Sequence, residues 1–315
     1  MGIQMNCVIL GGGGFLGYHL CQALVAVGHR VRIFDRPNLE RFSLPDNADS
    51  VEWAEGDFVN QEDLEATIAG CDIVYHLVST TLPKSSNDNP IYDIETNVIG
   101  TLRLLDLLKN KKIKIIFISS GGTVYGIPEE VPIKESHPTR PLCSYGIAKV
   151  TIEKYLYLYH QLHELDYCIF RLANPFGERQ KVTAAQGVIA VFLHKALHDQ
   201  PIEIWGDGTV VRDYIYVRDA ITPLITAITY RGDCRTFNIG SGEGRSVNDI
   251  LAAIGKLLGK QIRCTYTPAR TFDVPSNILD ISLASRLLNW TPTTSFPEGL
   301  YNTLLWLNNR KMSNR

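Results

Sequence analysis

Glycines at positions 11, 14 and 17 directly follow the apolar run Cys7–Leu10, and Asp35 lies 18 residues beyond the last of them. A strand, a glycine turn and a helix start together point backbone N–H groups at a bound phosphate, and only glycine lets a dinucleotide approach the chain this closely. Leucines at helical spacing follow the turn. The pattern therefore predicts a dinucleotide-binding site. Its pyrophosphate turn is predicted to consist of Gly11, Gly14, Phe15, Leu16 and Gly17.

Asp35 ends the second predicted strand, residues 30–34, where a carboxylate can accept hydrogen bonds from both ribose hydroxyls of an adenosine. A 2′-phosphate would meet this negative charge at close range. The sequence therefore favours NAD over NADP as the cofactor, although the neighbouring Arg36 could also bind a phosphate.

Strand and helix patterns alternate through the first half of the chain, as is typical of a doubly wound parallel sheet. The alternation breaks after residue 172. A chain of 315 residues is also longer than a single small hydrophobic core usually supports. We expect an α/β fold with a Rossmann-type NAD-binding domain at 1–173 and a smaller α/β substrate domain at 174–315, with some segments free to return to the first domain. The strands predicted in the first half are 6–10, 30–34, 51–53, 72–77, 114–119 and 167–171, and the helices are 15–28, 61–69, 91–110 and 144–163.

Composition argues against several classes of partner. A net charge of −2 disfavours nucleic acid or an anionic membrane surface as the main partner. The sequence has no apolar run of 18 residues and no signal-peptide pattern, so we expect neither a membrane-spanning helix nor secretion. Seven scattered cysteines without a C-x-x-C pair indicate reduced thiols in the cytoplasm and no metal site.

The predicted helices 91–110 and 144–163 carry apolar residues on more than one face. A surface helix of a globular domain needs only one such face. The additional face indicates either a contact with another subunit or burial under the second domain. A homodimer is therefore expected, with the second explanation left open.

Tyr145 and Lys149 lie four residues apart on the predicted helix 144–163, so they project from the same face. The lysine ammonium can favour the tyrosine phenolate and can also hold the nicotinamide ribose. An unperturbed tyrosine has a pKa of about 10, and bringing it to about 7 requires roughly 4 kcal/mol of preferential phenolate stabilisation. A cation, the positive nicotinamide ring and hydroxyl donors can supply that amount. Behind a dinucleotide motif, the pair indicates a catalytic base and its partner.

The predicted strand 114–119 ends in hydroxyls and glycines, in the run Ser119-Ser120-Gly121-Gly122-Thr123. Such a strand end faces the cofactor and can offer hydroxyls to a sugar oxygen. With these motifs the chain resembles the extended short-chain dehydrogenase/reductases, and within them the UDP-glucose 4-epimerase group. The resemblance also covers Gly56-Asp57-Phe58, Tyr75-His76-Leu77, Asn97, Val124-Tyr125-Gly126, Asn174-Pro175-Phe176-Gly177, Trp205-Gly206-Asp207-Gly208, Arg212-Asp213-Tyr214 and Arg270 to Asp273.

The resemblance implies roles for these positions. It makes Tyr145 the base and Lys149 its partner, and it makes the second domain a nucleotide-sugar-binding domain. The other cofactor-binding residues that it implies are Asp57 and Phe58 beside adenine, with Leu77, Asn97 and Ser119 near the rest of the cofactor. It implies that Asn174, Arg212 and Arg270 hold a UDP diphosphate, with Asp273 near the uridine. A guanidinium fork matches phosphate oxygens, which agrees with the two arginines.

The reaction that the resemblance implies is epimerisation at C4 of a UDP-hexose. Tyr145 would take the proton of the 4-hydroxyl while C4 gives a hydride to NAD, and the 4-keto sugar would turn and receive the hydride on its opposite face. These epimerases usually carry Ser or Thr where this chain has Gly121. The assisting hydroxyl must then come from Ser120, Thr123 or water, and we predict Thr123.

Rival activities differ in the groups that they need. By resemblance, dehydratases and decarboxylases carry carboxyl groups just before Val-Tyr-Gly, where this chain has Gly122 and Thr123. A 4-keto-sugar reductase would use the same Tyr145 and Lys149, but it would normally favour NADPH, which Asp35 opposes. A catalytically silent NAD-sensing protein is a further alternative, and the intact tyrosine–lysine pair counts against it.

The choice of sugar depends on fewer residues. By resemblance, Asn277 stands where a tyrosine favours plain hexoses and a small residue also admits a 2-acetamido group. The intermediate size of Asn favours UDP-glucose and UDP-galactose and leaves UDP-GlcNAc and UDP-GalNAc open. The polar segment Ser79–Asn89 is expected to close over the sugar or to be an ordinary surface loop, and Lys84 within it is a predicted substrate-binding residue.

Overall fold

The computed structural model describes residues 3–42, 49–182, 187–268 and 274–313, with side chains up to residue 309 in the last range. Contacts between Cα atoms divide the chain into two compact units. The first unit comprises Met1–Tyr125, Thr139–Arg171 and Ile221–Phe237, and the second comprises Gly126–Pro138, Leu172–Ala220 and Asn238–Arg315.

The first half of the chain, up to the end of the sixth strand, consists of strands interspersed with helices. The strands of this half are β1 (Asn6–Leu10), β2 (Arg30–Asp35), β3 (Val51–Glu55), β4 (Ile73–His76), β5 (Lys114–Ser120) and β6 (Tyr167–Leu172). The helices are α1 (Phe15–Ala26), α2 (Gln61–Ile68), α3 (Pro83–Asp88), α4 (Pro90–Asp93), a π-helical segment (Ile94–Ile99), α5 (Gly100–Leu108) and α6 (Ser144–His163).

Shorter elements follow. The strands are β7 (Asn174–Phe176), β8 (Ile202–Trp205), β9 (Val211–Tyr216), β10 (Thr236–Ile239), β11 (Gly244–Ser246), β12 (Cys264–Thr267) and β13 (Ser276–Asn277). The helices are α7 (Val188–Leu197), α8 (Val217–Thr226), α9 (Val247–Leu258), α10 (Ser282–Leu288) and α11 (Phe296–Ser313).

The central sheet has seven strands in the order β10-β6-β5-β4-β1-β2-β3. The pairs β3–β2, β2–β1, β1–β4 and β4–β5 are parallel. Fully buried side chains such as Leu10, Phe34 and Phe117 fill the core between this sheet and its helices. The expected Rossmann-type α/β fold is confirmed. Because all of these parallel strands end on the same edge, the side chains predicted for catalysis gather there.

One predicted helix differs from the structure. Residues 91–110 were expected to form one continuous helix, whereas the chain forms α4, the π-helical segment and α5 in succession. The side chain of Asn97 explains the interruption, since its Nδ2 donates to the main-chain oxygen of Asp93 at 3.0 Å and so competes with the helical backbone bonds. The Asn97 side chain is buried within the first unit.

The second unit is built around β9, which pairs with β7, β11 and β13, while β8 and β12 form a separate parallel pair. The centre of this unit is the carboxylate of Asp213 on β9, which is 0% exposed. It accepts hydrogen bonds from the main-chain N–H and hydroxyl of Ser241 and from the N–H groups of Gly242 and Leu279. These bonds tie two separate segments, at residues 241–242 and at Leu279, to one strand. Asp213 is therefore a structural group of this unit.

Candidate active site

The glycine turn connects β1 to α1 in a conformation that requires glycine. Gly11 has a φ of +79°, and its N–H donates to the main-chain oxygen of Phe34 at 2.8 Å. A Cβ on Gly17 would lie 2.3 Å from the main-chain oxygen of Gly12. Gly14 caps α1 without a side chain, which leaves the N–H groups of the first turn for a ligand. The turn that includes Phe15 and Leu16 is therefore shaped to bind a phosphate.

Asp35 stands at the end of β2, beside this turn. Its Oδ2 accepts the N–H of Gly13 at 2.9 Å, and its Oδ1 accepts the N–H of Arg36 at 2.9 Å. The carboxylate is thus fixed next to the phosphate-binding turn. This is the position in which it can bind an adenosine ribose.

Three further predicted cofactor residues, Asp57, Phe58 and Leu77, lie just after the ends of β3 and β4. Phe58 is buried and packs against Gly100, whereas Asp57 is bonded locally through its Oδ1 to the N–H of Val59. Leu77 follows β4 and donates its N–H to Leu10. All of these residues belong to the first unit.

Tyr145 and Lys149 lie one turn apart on α6, as predicted. The Nζ of Lys149 lies 5.6 Å from the centre of the Tyr145 ring and 4.7 Å from that of Phe117. The same atom donates to the main-chain oxygen of Ile118 at 3.0 Å. The ammonium is therefore fixed beside the phenol by a neighbouring strand.

Burial shifts both groups toward their neutral forms. Desolvation raises the pKa of Tyr145 to about 12, and hydrogen bonding to the hydroxyls of Ser79 and Ser120 opposes that rise. Desolvation lowers the pKa of Lys149 to about 8, and the negative charges of Asp93 and Glu153 oppose that fall. A phenolate at neutral pH therefore requires additional positive charge from a bound ligand.

The hydroxyls at the end of β5 have different surroundings. Ser120 is one of the two hydroxyls next to the Tyr145 phenol. Ser119 donates instead to Glu153 at 2.5 Å, inside the core. The Oγ1 of Thr123 is buried and has no hydrogen-bond partner among the described residues. The structure thus places the Ser120 hydroxyl beside the phenol, and the role of Thr123 stays a prediction.

Sequence reasoning missed a set of small polar side chains that hold the start of α6. Ser86 Oγ accepts the N–H of Tyr145 at 3.0 Å, and Asn87 Oδ1 accepts the N–H of Ser144 at 2.9 Å. Both belong to the polar segment Ser79–Asn89, which therefore packs on α6 instead of standing free as a surface loop. Lys84 in the same segment is exposed. The small polar composition of the segment was the available signal.

Asn97 also makes its contacts within the first unit. Its Oδ1 accepts the N–H of Thr80 at 3.0 Å, and its Nδ2 donates to Asp93 Oδ1 at 2.9 Å. Asp93 in turn accepts from Ser144 Oγ at 2.7 Å. The amide therefore joins the strand end after β4 to the start of α6. Asp93 was not among the predicted site residues.

The predicted substrate residues that the structure describes in the second unit lie on adjacent strands. Asn277 on β13 is buried and stands in register with Arg212 on β9. Arg212 donates to the main-chain oxygen of Val274 at 2.6 Å, and Asn174 Nδ2 donates to that of Asp213 at 2.9 Å. The three side chains are thus gathered around β9. Arg270 and Asp273 lie outside the described residues.

Residues 7–240 match the NAD dependent epimerase/dehydratase family. The chain belongs to this family. The glycine turn, the first turn of α1 that no side chain caps and the fixed Asp35 carboxylate fit NAD, which is the cofactor of this enzyme family. Membership also makes the protein a nucleotide-sugar enzyme of the extended short-chain dehydrogenase/reductase type.

Individual members of the epimerase/dehydratase family are similar over nearly their whole length. A crystal structure of UDP-glucose 4-epimerase with UDP-glucose from Thermotoga maritima is 33% identical, with a TM-score of 0.91 over 98% of this chain and 100% of that one. A UDP-N-acetylglucosamine 4-epimerase from Methanobrevibacter ruminantium, in complex with UDP-N-acetylmuramic acid, is 29% identical, with a TM-score of 0.90 over 98% and 99%. A dTDP-4-dehydro-6-deoxyglucose reductase from Escherichia coli is 33% identical over 304 residues, 93% of this chain and 94% of the relative.

Proposed function

We propose that the protein interconverts the C4 epimers of a UDP-hexose, with UDP-glucose and UDP-galactose as the first substrates to test and their N-acetylated counterparts as the second. When bound, NAD accepts a hydride from C4 and returns it. Tyr145 takes the proton of the 4-hydroxyl as this hydride leaves and gives it back when the hydride returns. Lys149 stabilises the phenolate and holds the cofactor ribose.

The observation that carries the proposal is the surroundings of the Tyr145 phenol. Two neutral hydroxyls, of Ser79 and Ser120, and the ammonium of Lys149 lie around it. An alcohol bound there can be deprotonated by Tyr145 while these groups stabilise the charge. Proton removal coupled to hydride transfer is the chemistry that such a site supports.

The residues after β5 argue against elimination or decarboxylation. Gly121, Gly122 and Thr123 offer no carboxyl group that could remove water or assist loss of CO₂ from a 4-keto sugar. A Cβ on Gly122 would come no closer than 3.9 Å to another atom, so the position has space but no catalytic group. The 4-keto sugar would then have one productive fate, which is reduction at C4.

A 4-keto-sugar reductase is the second candidate, favoured by the E. coli relative of that name. A reductase consumes a reduced cofactor in every cycle, whereas an epimerase regenerates NAD. Asp35, fixed beside the glycine turn, favours NAD over a 2′-phosphorylated cofactor. This supports the epimerase.

For the nucleotide, we propose that the second unit supplies the main contacts. The guanidinium of Arg212 binds the diphosphate, and the side-chain amide of Asn174 donates a hydrogen bond to it. Asn277 limits the size of the substituent at C2 of the sugar. Arg270 and Asp273 are proposed to hold the far phosphate and the uridine. Lys84 and Thr123 are proposed sugar contacts from the first unit.

We also propose a homodimer. On α6 a stripe of side chains at helical spacing stays exposed in the single chain, with Ile147 51%, Leu158 42% and Leu162 65% exposed. Two isoleucines outside α6 are exposed as well. Ile91 on α4 is 70% exposed, and Ile99 at the end of the π-helical segment is 39% exposed. The exposed side chains of two copies would cover each other, which would remove these apolar groups from water.

Leu158→Glu tests this dimer by light scattering coupled to gel filtration. The variant should elute as a monomer, and Leu287→Glu, at a comparably exposed leucine on α10, should not change the mass. A wild-type protein that is monomeric at all concentrations would refute the dimer.

The expected surroundings are a reducing cytoplasm. The seven cysteines, all among the described residues, form no disulfide with one another. The described helices include none that is long and apolar enough to cross a membrane.

The experiment that tests the function is incubation of the purified protein with each UDP-sugar without added cofactor, followed by separation of the C4 epimers. UDP-galactose from UDP-glucose would establish epimerisation and cofactor retention together. Product only with added reduced cofactor and a 4-keto sugar would identify the reductase. Release of a 4-keto-6-deoxy sugar would refute the proposal.

A further inference from the structure

Asp93 at the end of α4 is a fully buried carboxylate, with 0% exposure. Its Oδ1 accepts hydrogen bonds from the Thr81 hydroxyl and from Asn97 Nδ2, and its Oδ2 accepts from the Ser144 hydroxyl. All three donors are neutral. Three neutral hydrogen bonds offset only part of the cost of burying a carboxylate, so a nearby cation that does not contact Asp93 would stabilise its charge further.

Lys149 is a buried cation in the complementary situation. Its Nζ donates to a main-chain oxygen, that of Ile118, and faces the rings of Phe117 and Tyr145. These contacts provide no negative charge. Two carboxylates act on the ammonium electrostatically, Asp93 and Glu153.

The charge of Glu153 is already compensated. Arg171 donates to its Oε2 through NH2 at 2.6 Å and to its Oε1 through Nε at 3.1 Å, and Ser119 donates to its Oε1. Both members of this ion pair are less than 10% exposed. Of the two carboxylates that act on Lys149, Asp93 is therefore the one whose charge is not matched by a contacting cation.

We infer that Asp93 is a positioning residue that serves as the buried counter-ion of Lys149 and fixes the start of α6 through Ser144. Its carboxylate keeps the ammonium charged inside the unit, and its bond to Ser144 holds the turn from which Tyr145 projects. The inference rests on the proposed function only where turnover is the readout.

The other titratable groups around Lys149 cannot replace Asp93. His76 on β4 is neutral, since burial and the lysine charge lower its pKa to about 3. The Cys143 thiol before α6 is neutral because burial raises its pKa. Asp93 raises the pKa of both Lys149 and Tyr145, so it favours the charged lysine at some expense to the phenolate.

The test is a titration of the Lys149 ammonium by carbon NMR on NAD-bound protein labelled at the lysine Cε, with the Lys149 signal assigned by its absence in Lys149→Arg. Asp93→Asn keeps the shape of the side chain and removes its charge. The midpoint of Lys149 should fall by roughly one pH unit in D93N. Glu95→Gln is the control, because it removes an exposed carboxylate from the same helical region and should leave the midpoint unchanged.

A midpoint in D93N equal to that of the wild type would overturn the inference. Should D93N not be recovered folded, the wild-type protein decides the question by titration at low and at high salt. Salt screens exposed charges far more than buried ones, so the wild-type midpoint should not move. A fall at high salt would assign the effect to surface carboxylates and would refute a buried counter-ion.

Two further measurements separate the effect of the Asp93 charge on Lys149 from the role of Asp93 in holding the start of α6. In turnover with a UDP-sugar, the alkaline limb of the kcat profile should move to lower pH in D93N by the same amount as the NMR midpoint. Ser144→Ala, which keeps the carboxylate, should lower kcat about 10-fold at an unchanged Lys149 midpoint. An unchanged kcat in S144A would refute the positioning role. Absence of turnover in the wild type would refute the proposed function, while the NMR titration would still decide the role of Asp93.

Discussion

The main-chain N–H of Gly13 donates to Oδ2 of Asp35 at 2.9 Å, which ties the second strand to the turn that receives the cofactor. One carboxylate thus shapes the turn, and we propose that it also binds the adenosine ribose of NAD. Asp35→Asn should lower NAD affinity about 10-fold, because a charged acceptor is replaced by a weaker neutral one. Calorimetric titration of NAD checks this. Glu52→Gln, on the next strand and bonded to Arg32, should bind NAD like the wild type. Equal affinities in all three proteins would contradict the assignment of Asp35.

Gly17 is required by packing rather than by chemistry. The Cβ of Gly17→Ala would lie 2.3 Å from the main-chain oxygen of Gly12, and backbone cannot move aside easily. The variant should lose about 1–3 kcal/mol in the free energy of unfolding, measured by denaturant titration without ligand. Gly122→Ala, whose Cβ would lie 3.9 Å from the nearest atom, the Oγ of Ser120, should change stability by less than about 0.5 kcal/mol. Equal losses in the two variants would contradict this account of the turn.

Variants of Ser120 and Thr123 distinguish which of the two hydroxyls assists Tyr145. Hydrogen bonding to Ser120 lowers the pKa of Tyr145, so removing it in Ser120→Ala should raise that pKa and move the acidic limb of kcat to higher pH. We expect kcat at neutral pH to fall roughly 10- to 100-fold. Thr123→Val should shift the limb less, because the Oγ1 of Thr123 has no hydrogen-bond partner among the described residues. A larger shift in T123V than in S120A would establish Thr123 as the assisting hydroxyl.

The buried pair of Arg171 and Glu153 should contribute far more to stability than an exposed pair. Arg171→Met leaves the Glu153 carboxylate buried without its cation and should cost about 3–5 kcal/mol in the free energy of unfolding. Lys109→Met breaks an exposed pair with Asp106 and should cost under about 1 kcal/mol. Denaturant titrations of both variants provide the comparison. A cost for R171M no greater than that for K109M would show that the pair is not important for stability.

Sequence reasoning reached those parts of the site that are encoded locally. The glycine turn, Asp35 and the spacing of Tyr145 and Lys149 each depend on a few neighbouring residues. Helix and strand geometry then determines where these groups lie. The π-helical segment was missed because an Asn97 side chain, rather than the apolar repeat, decides how the backbone bonds there.

Contacts between segments that are distant in the sequence could not be predicted from it. Ser144 and Asp93 are 51 residues apart, and Tyr145 and Ser86 are 59 apart. Single polar residues at such separations carry no spacing signal. Their pairing follows only when the parallel strands bring their carboxyl ends to one edge of the sheet.

The central claim is that the phenol of Tyr145 transfers the proton of the sugar hydroxyl, and Tyr145→Phe tests it most directly. The measurement is the rate of interconversion of UDP-glucose and UDP-galactose by Y145F and wild type, both with NAD bound. We predict a loss of about 100- to 10,000-fold in kcat with NAD affinity unchanged within a few-fold. Interconversion by Y145F at the wild-type rate would contradict the account.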